Sequence, residues 1–152
     1  MENQAAKRPM VLVVEPDALM LTAMAAVLHS AGFRSFLAKT HDVAVAACKT
    51  TSFDLIVASF EENQVLHVAQ NVAQLRSYQQ NADLPVIFVS SRLDVSWIEP
   101  LNKAGGVHCL TRPFEPEKLI ELAEQACMFP HLAIARLAPP KAHFAHDWVR
   151  LT

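Results

Sequence analysis

The chain has 152 residues, 52% of them hydrophobic, which is enough for one domain with a proper core and too few for two. Thirteen basic against fifteen acidic side chains leave a net charge of −2, and no block of like charge is long enough to mark a nucleic-acid or membrane footprint. Cys48, Cys109 and Cys127 are odd in number and far apart, which excludes a CxxC metal pair and an evident disulfide framework. Free thiols in a reducing cytoplasm are the expectation.

The opening "MENQAAKRPM" lacks the apolar core of a signal peptide, and residues 1–8 read as a disordered arm before a domain over 9–128. "VLVV" (Val11 to Val14) is the first of five short apolar runs rich in β-branched or aromatic residues, the composition of strands covered on both faces. Asp17 is then placed to cap a helix whose Leu21, Met24, Ala25 and Leu28 recur at helical spacing, and Gly32 can end it in a left-handed turn. The apolar stretch from Ala18 to Leu28 contains Thr22 and is too short to span a bilayer. "SFLA" (Ser35 to Ala38) is the second strand and "LIVA" (Leu55 to Ala58) the third. Val65, Val68, Val72 and Leu75 mark the third helix, and "VIFV" (Val86 to Val89) the fourth strand.

The fourth helix is compromised. In "LDVSWIEPLNKAGG" a helix capped by Asp94 would carry Pro100 in its interior, at a cost of ~3 kcal/mol. A short, kinked or late-starting helix is therefore predicted, with Trp97 a candidate for partial exposure on an interaction surface, beside the simpler reading as a core residue. "VHCL" (Val107 to Leu110) is the fifth strand; Pro116 suits the first turn of the last helix, whose apolar face is Leu119, Leu122, Ala123 and Ala126. Residues 129–152 form a tail broken by Pro130, Pro139 and Pro140, too small for a helix-turn-helix domain. Phe144, Trp148 and Val149 of this tail are candidates to pack on the domain or on a neighbour, whereas His143 and His146 lack a third metal ligand and read as exposed tail.

Alternating strands and helices with right-handed crossovers predict an open parallel α/β sheet whose site lies in the loops at the carboxyl ends of the strands. Those loops hold Glu15, Pro16 and Asp17, then Ser59, then Ser90 and Ser91, then Arg112 and Pro113. In this order "VLVVEPD", "FDLIVAS", "LPVIFVSS", "AGG" and "CLTRPFEPEKL" resemble the successive signature segments of the receiver domain of bacterial two-component response regulators, over roughly Pro9 to Cys127. The resemblance implies a flavodoxin-like (βα)5 sheet in strand order 2-1-3-4-5, in three α/β/α layers. It also implies a site in which two acids after strand one and an aspartate after strand three hold Mg²⁺, and the aspartate accepts a phosphoryl group from a histidine kinase. A hydroxyl after strand four and a lysine after strand five would grip the phosphoryl oxygens.

Laid onto this chain, the acidic pair falls on Glu15 and Pro16, the acceptor on Ser59, the hydroxyl on Ser90, the lysine on Arg112 and the aromatic switch residue of strand five on Cys109. Only Glu15 and Ser90 keep the family's chemistry. A serine hydroxyl is a poor nucleophile without an activating base, and Mg²⁺ loses two of three oxygen ligands, so its binding is expected to be weak or absent. Asp17 is assigned to the helix cap rather than to the metal. Arg112 is expected to pair with Glu15, with a solvated surface arginine as the plainer alternative. The resemblance further implies a cis bond before Pro113. "FEENQVL" lacks the family's Met-Pro and Gly and reads as a shorter loop in which Glu61 and Glu62 are simply solvated.

The resulting expectation is a non-catalytic, cytoplasmic pseudo-receiver that binds a histidine kinase, another regulator or a second copy of itself, without cofactor, nucleic acid or membrane. By resemblance its contact surface is the face of helix four, strand five and helix five, in a homodimer. A working phosphorelay receiver with Asp17, Asp54 or Glu62 as substitute acceptor is the alternative, and a flavodoxin-like ligand-binding domain is another. No GxGxxG or GxxxxGK[ST] motif supports a dinucleotide or P-loop site.

Overall fold

Continuous apolar runs with no polar face to expose demand cover on both sides, and the computed structural model, which describes residues 8–128, provides it. Strands β1 (Met10–Val14), β2 (Arg34–Ala38), β3 (Leu55–Ser59), β4 (Val86–Ser90) and β5 (Gly106–Thr111) form one sheet in the order β2-β1-β3-β4-β5. All four pairings are parallel. Between them run α1 (Ala18–Ser30), α2 (His41–Thr50), α3 (Val65–Ser77), α4 (Ile98–Lys103) and α5 (Pro116–Met128). This is the flavodoxin-like architecture that the resemblance implies.

Alternation along each strand divides the interior into two cores. Leu12, Ile56, Ala58 and Phe88 point to the side covered by α2, α3 and α4. Val11, Val13, Leu55, Val57, Ile87 and Val89 point to the side covered by α1 and α5. Each Leu, Ile or Phe buried in this way contributes about 1.5–3 kcal/mol. The helical spacings anticipated from sequence supply the covering faces: Leu21, Met24 and Leu28 on α1, and Leu119, Leu122, Ala123 and Ala126 on α5. Val68, Val72 and Leu75 do the same on α3.

Pro100 explains the form of the fourth helical segment. A 3₁₀ turn (Val95–Trp97) comes first, capped by Asp94, whose carboxylate accepts the Ser96 N–H at 2.9 Å. The six-residue α4 follows, so Pro100 falls in its first turn, where its missing N–H does little harm. Trp97 follows the simpler of its two readings and is buried in the core, not partly exposed as an anchor. It packs edge-on against Phe60 at 5.8 Å, Phe60 packs on Phe88 at 6.1 Å, and the Arg92 guanidinium covers the Trp97 ring at 4.9 Å. Of the large apolar side chains on this segment, Val95 remains exposed, at 61%.

The "AGG" segment sets the turn into β5. Gly105 has φ +100, and a Cβ there would lie 2.7 Å from Arg76 Cζ. Arg76 is fixed in that place by donating to the Leu84 carbonyl at 2.9 Å and the Ala82 carbonyl at 2.7 Å, so it has little room to yield. Gly105→Ala is accordingly expected to destabilise the domain by about 1–3 kcal/mol through backbone strain and displacement of Arg76. Chemical denaturation monitored by circular dichroism measures the change.

Candidate functional site

Parallel strands bring their carboxyl ends to one edge, and there the residues predicted from sequence meet. Glu15 follows β1 and is buried, at 1% exposure, although it is a carboxylate. A buried charge survives only with partners, and Glu15 has them on both oxygens. Its Oε2 accepts the Asp17 N–H at 2.9 Å, and its Oε1 lies 3.5 Å from Arg112 Nη1. The position of Arg112 is set by its own backbone, whose N–H donates to the Ser90 carbonyl at 2.8 Å, and the Arg112–Pro113 bond is cis. Its side chain is 19% exposed, not the freely solvated arginine of the plainer alternative.

Arg112 also reaches a second carboxylate. Its Nη2 stands 3.3 Å from Glu61 Oε2, so the guanidinium bridges the loops after β1 and β3. Glu62, the other acid of that loop, pairs with Arg92 at 2.7 Å, and Arg92 lies 3.5 Å from Asp94. The reading of Glu61 and Glu62 as merely solvated is thus corrected, since both are exposed and yet each is matched to an arginine from another strand end. Exposed pairs of this kind contribute little individually, about 0–1 kcal/mol, and their effect here is to fix loop positions. The loop itself is short, as expected: a 3₁₀ turn (Glu62–Gln64) leads directly into α3.

Asp17 requires a further correction. It occupies the N-cap position of α1 with an extended backbone, but its side chain makes no cap hydrogen bond. Glu15 has taken its N–H, and the Asp17 side chain is exposed. Pro16 is exposed as well and offers no ligand atom.

The remaining positions are closed inward. Ser59 is 9% exposed and its Oγ has no hydrogen-bond partner. Ser90 is fully buried and donates its hydroxyl to the Arg92 carbonyl, so the hydroxyl that would grip phosphoryl oxygens already has a partner. Cys109 is fully buried at the switch-residue position, and burial pushes its thiol up to about 12. It is a small, neutral core residue with no ring to rotate. Ser91 is exposed. Phe144, Trp148, His143 and His146 lie outside the described residues.

Among the described residues no group of three or more His, Cys, Asp or Glu side chains is placed to hold a metal ion. At the carboxyl edge one carboxylate, already paired with a cation, stands where a divalent ion needs several, so the donor set present does not fit Mg²⁺.

Removing one partner of this ion pair leaves the other buried and uncompensated. Arg112→Gln is expected to cost about 1–3 kcal/mol of stability. The Glu15→Gln, Arg112→Gln double variant should cost less than the sum of the two single changes, since it buries no unpaired charge. Urea denaturation of the four proteins of this cycle gives the coupling directly.

Comparison with known proteins agrees with the geometry. The family model described as "Response regulator receiver domain" matches residues 11–124. A curated relative, the response regulator protein TmoT of Ectopseudomonas mendocina, is 28% identical over 115 residues, which cover 72% of this chain and 49% of that protein. The chain thus spans about half the length of that relative. Among solved structures, the Vibrio cholerae chemotaxis protein CheY4 superposes with a TM-score of 0.71 at 20% identity, covering 78% of this chain and 98% of its own. A response regulator from Thermotoga maritima gives a TM-score of 0.68 at 22% identity, with 84% and 98% coverage. At such identities the structures establish the fold, and the family model extends the likeness to sequence across both cores and the strand-end site. The chain therefore belongs to the response regulator receiver domain family of two-component signal transduction.

Proposed function

We propose that this receiver domain is not phosphorylated on aspartate and works without enzymatic activity as a protein-binding module in two-component signalling. The observation that carries this reading is Arg112 spanning Glu15 and Glu61, a cation built into the place where the family binds one. Ser59 adds a buried, neutral hydroxyl with no histidine or lysine partner to activate it. Weak or absent Mg²⁺ binding follows from the same charge balance.

Substitute acceptors are poorly placed. Asp54 lies at the opposite end of the sheet, where its Oδ2 accepts the Met10 N–H at 2.8 Å. Glu62 is engaged by Arg92 at 2.7 Å, and the exposed Asp17 stands in the loop beyond Glu15. The free cysteines, two of them buried, favour a reducing cytoplasm, and no described helix is long and apolar enough to cross a membrane.

The contact surface in this reading is the α4, β5 and α5 face, used for a second copy of the chain or for a signalling partner. Its support is Val95, a large apolar side chain left exposed beside the shortened α4, with Trp97 beneath it as part of the core rather than as the anchor. The tail beyond Met128 is a further candidate contributor, by its sequence alone.

Two measurements test the proposal. Incubation with acetyl phosphate and Mg²⁺, followed by intact-mass spectrometry, should leave the protein unmodified; stoichiometric acyl phosphate would refute it. Light scattering of the full chain should give a dimer mass, and Val95→Glu should lower the self-association constant by roughly tenfold or more by placing a charge in an apolar contact. A monomer that no candidate kinase or regulator binds would leave the docking reading without support.

A further inference from the structure

We infer that the domain carries a binding site for a small organic anion on the α2 and α3 side of the sheet, separate from the Arg112 cluster. A cavity of about 240 Å³ opens there between the ends of β1 and β3 and the first turns of α2 and α3. Its inner surface is apolar, built from Val14, Ala58, Val68 and Val72. Ser59, with its unpartnered buried hydroxyl, borders it where β3 ends.

The polar lining is one-sided. Lys39 and His41 come from the loop into α2, His67 and Asn71 from the first turns of α3, and no carboxylate lines the cavity among the described residues. Of the acids in the neighbouring loops, Glu15 and Glu61 face Arg112 and Glu62 faces Arg92, while Asp42, in the first turn of α2 beside His41, is exposed and does not line the cavity. Both helices begin at this edge, and each N-terminus presents the equivalent of about +0.5 charge. The Thr40 hydroxyl accepts the Val43 N–H at 3.2 Å, and in the 3₁₀ turn that leads into α3 the Gln64 side chain accepts the Glu61 N–H at 3.2 Å. One side of the opening is fixed in shape, because His41 Nε2 and Gln74 Oε1 are hydrogen-bonded at 2.8 Å across α2 and α3. Gln74 in turn donates to the Tyr78 hydroxyl at 3.2 Å, which leaves its carbonyl oxygen to accept from His41.

An apolar floor under a rim of one lysine, two imidazoles and side-chain amides suits a compact molecule with an apolar body and a single carboxylate or phosphate. The volume lies below the ~300–1,000 Å³ typical of sites for drug-sized ligands, which limits the occupant to a small metabolite. This site is independent of the docking surface proposed above, and either can fail without the other.

The test is a titration of the full chain followed by ¹H–¹⁵N correlation spectra, with benzoate, phenyl phosphate, neutral benzyl alcohol and inorganic phosphate as separate probes. Benzoate or phenyl phosphate should shift the amides of Lys39, His41, His67 and Asn71 saturably, and whichever binds more tightly identifies the headgroup. The Lys39→Gln, His67→Gln double variant changes two exposed side chains and should keep the native spectrum while weakening that binding by about tenfold or more. Benzyl alcohol binding as tightly as benzoate, unchanged affinity in the variant, inorganic phosphate alone as a binder, or no saturable shift with either organic anion would each overturn the inference.

Discussion

A carboxylate that is almost wholly withdrawn from water dictates the arrangement of everything around it. Glu15 follows β1, an interior strand of a sheet buried on both faces, so its charge sits at the rim of an apolar interior and must be balanced there. In a phosphorylatable receiver a divalent ion would supply that balance. Here a guanidinium does, at 3.5 Å, and because it is planar and permanently charged it can face Glu61 at the same time. The positive charge is covalently attached to the chain.

The other departures act in the same direction. Ser59, the last residue of β3, stands where the family carries its acceptor aspartate, and Cys109 in β5 offers no aromatic ring. The Ser90 hydroxyl, which would transmit the signal, is tied to the Arg92 carbonyl. Arg92 also joins Glu62 after β3 to Asp94 after β4 and lies over Trp97, so the loops that would move on phosphorylation are linked by ion pairs and an aromatic stack. A two-state switch needs two arrangements of similar free energy, and these contacts stabilise one. These contacts are what the proposed role as a continuously presented docking module rests on.

Much of this was legible in the sequence because the relevant signals are local. Apolar runs and helical spacings gave the order of the elements, Pro100 announced a truncated α4, and the pairing of Glu15 with Arg112 could be anticipated once both were assigned to strand ends. What escaped depended on approach between distant residues. The Glu61 and Arg112 contact spans 51 positions and the Glu62 and Arg92 contact 30, and adjacent glutamates in a loop look solvated until the neighbouring strand ends are in place. Asp17 misled because it holds the N-cap position without using its carboxylate as a cap, while its own N–H donates to Glu15. Trp97 followed the simpler of its two readings, a core residue, and not the candidate surface anchor. The cavity beside α2 and α3 has no sequence signature, since it is assembled from single residues of several elements.

The central claim, that Arg112 occupies the electrostatic place of the metal, is tested most directly by a crystal soaked in Mg²⁺ and beryllofluoride. The account predicts Arg112 still positioned between Glu15 and Glu61, with neither ion bound at the end of β3. An octahedrally coordinated Mg²⁺ beside Glu15 and a beryllofluoride group on Ser59, with Arg112 displaced toward solvent, would contradict it.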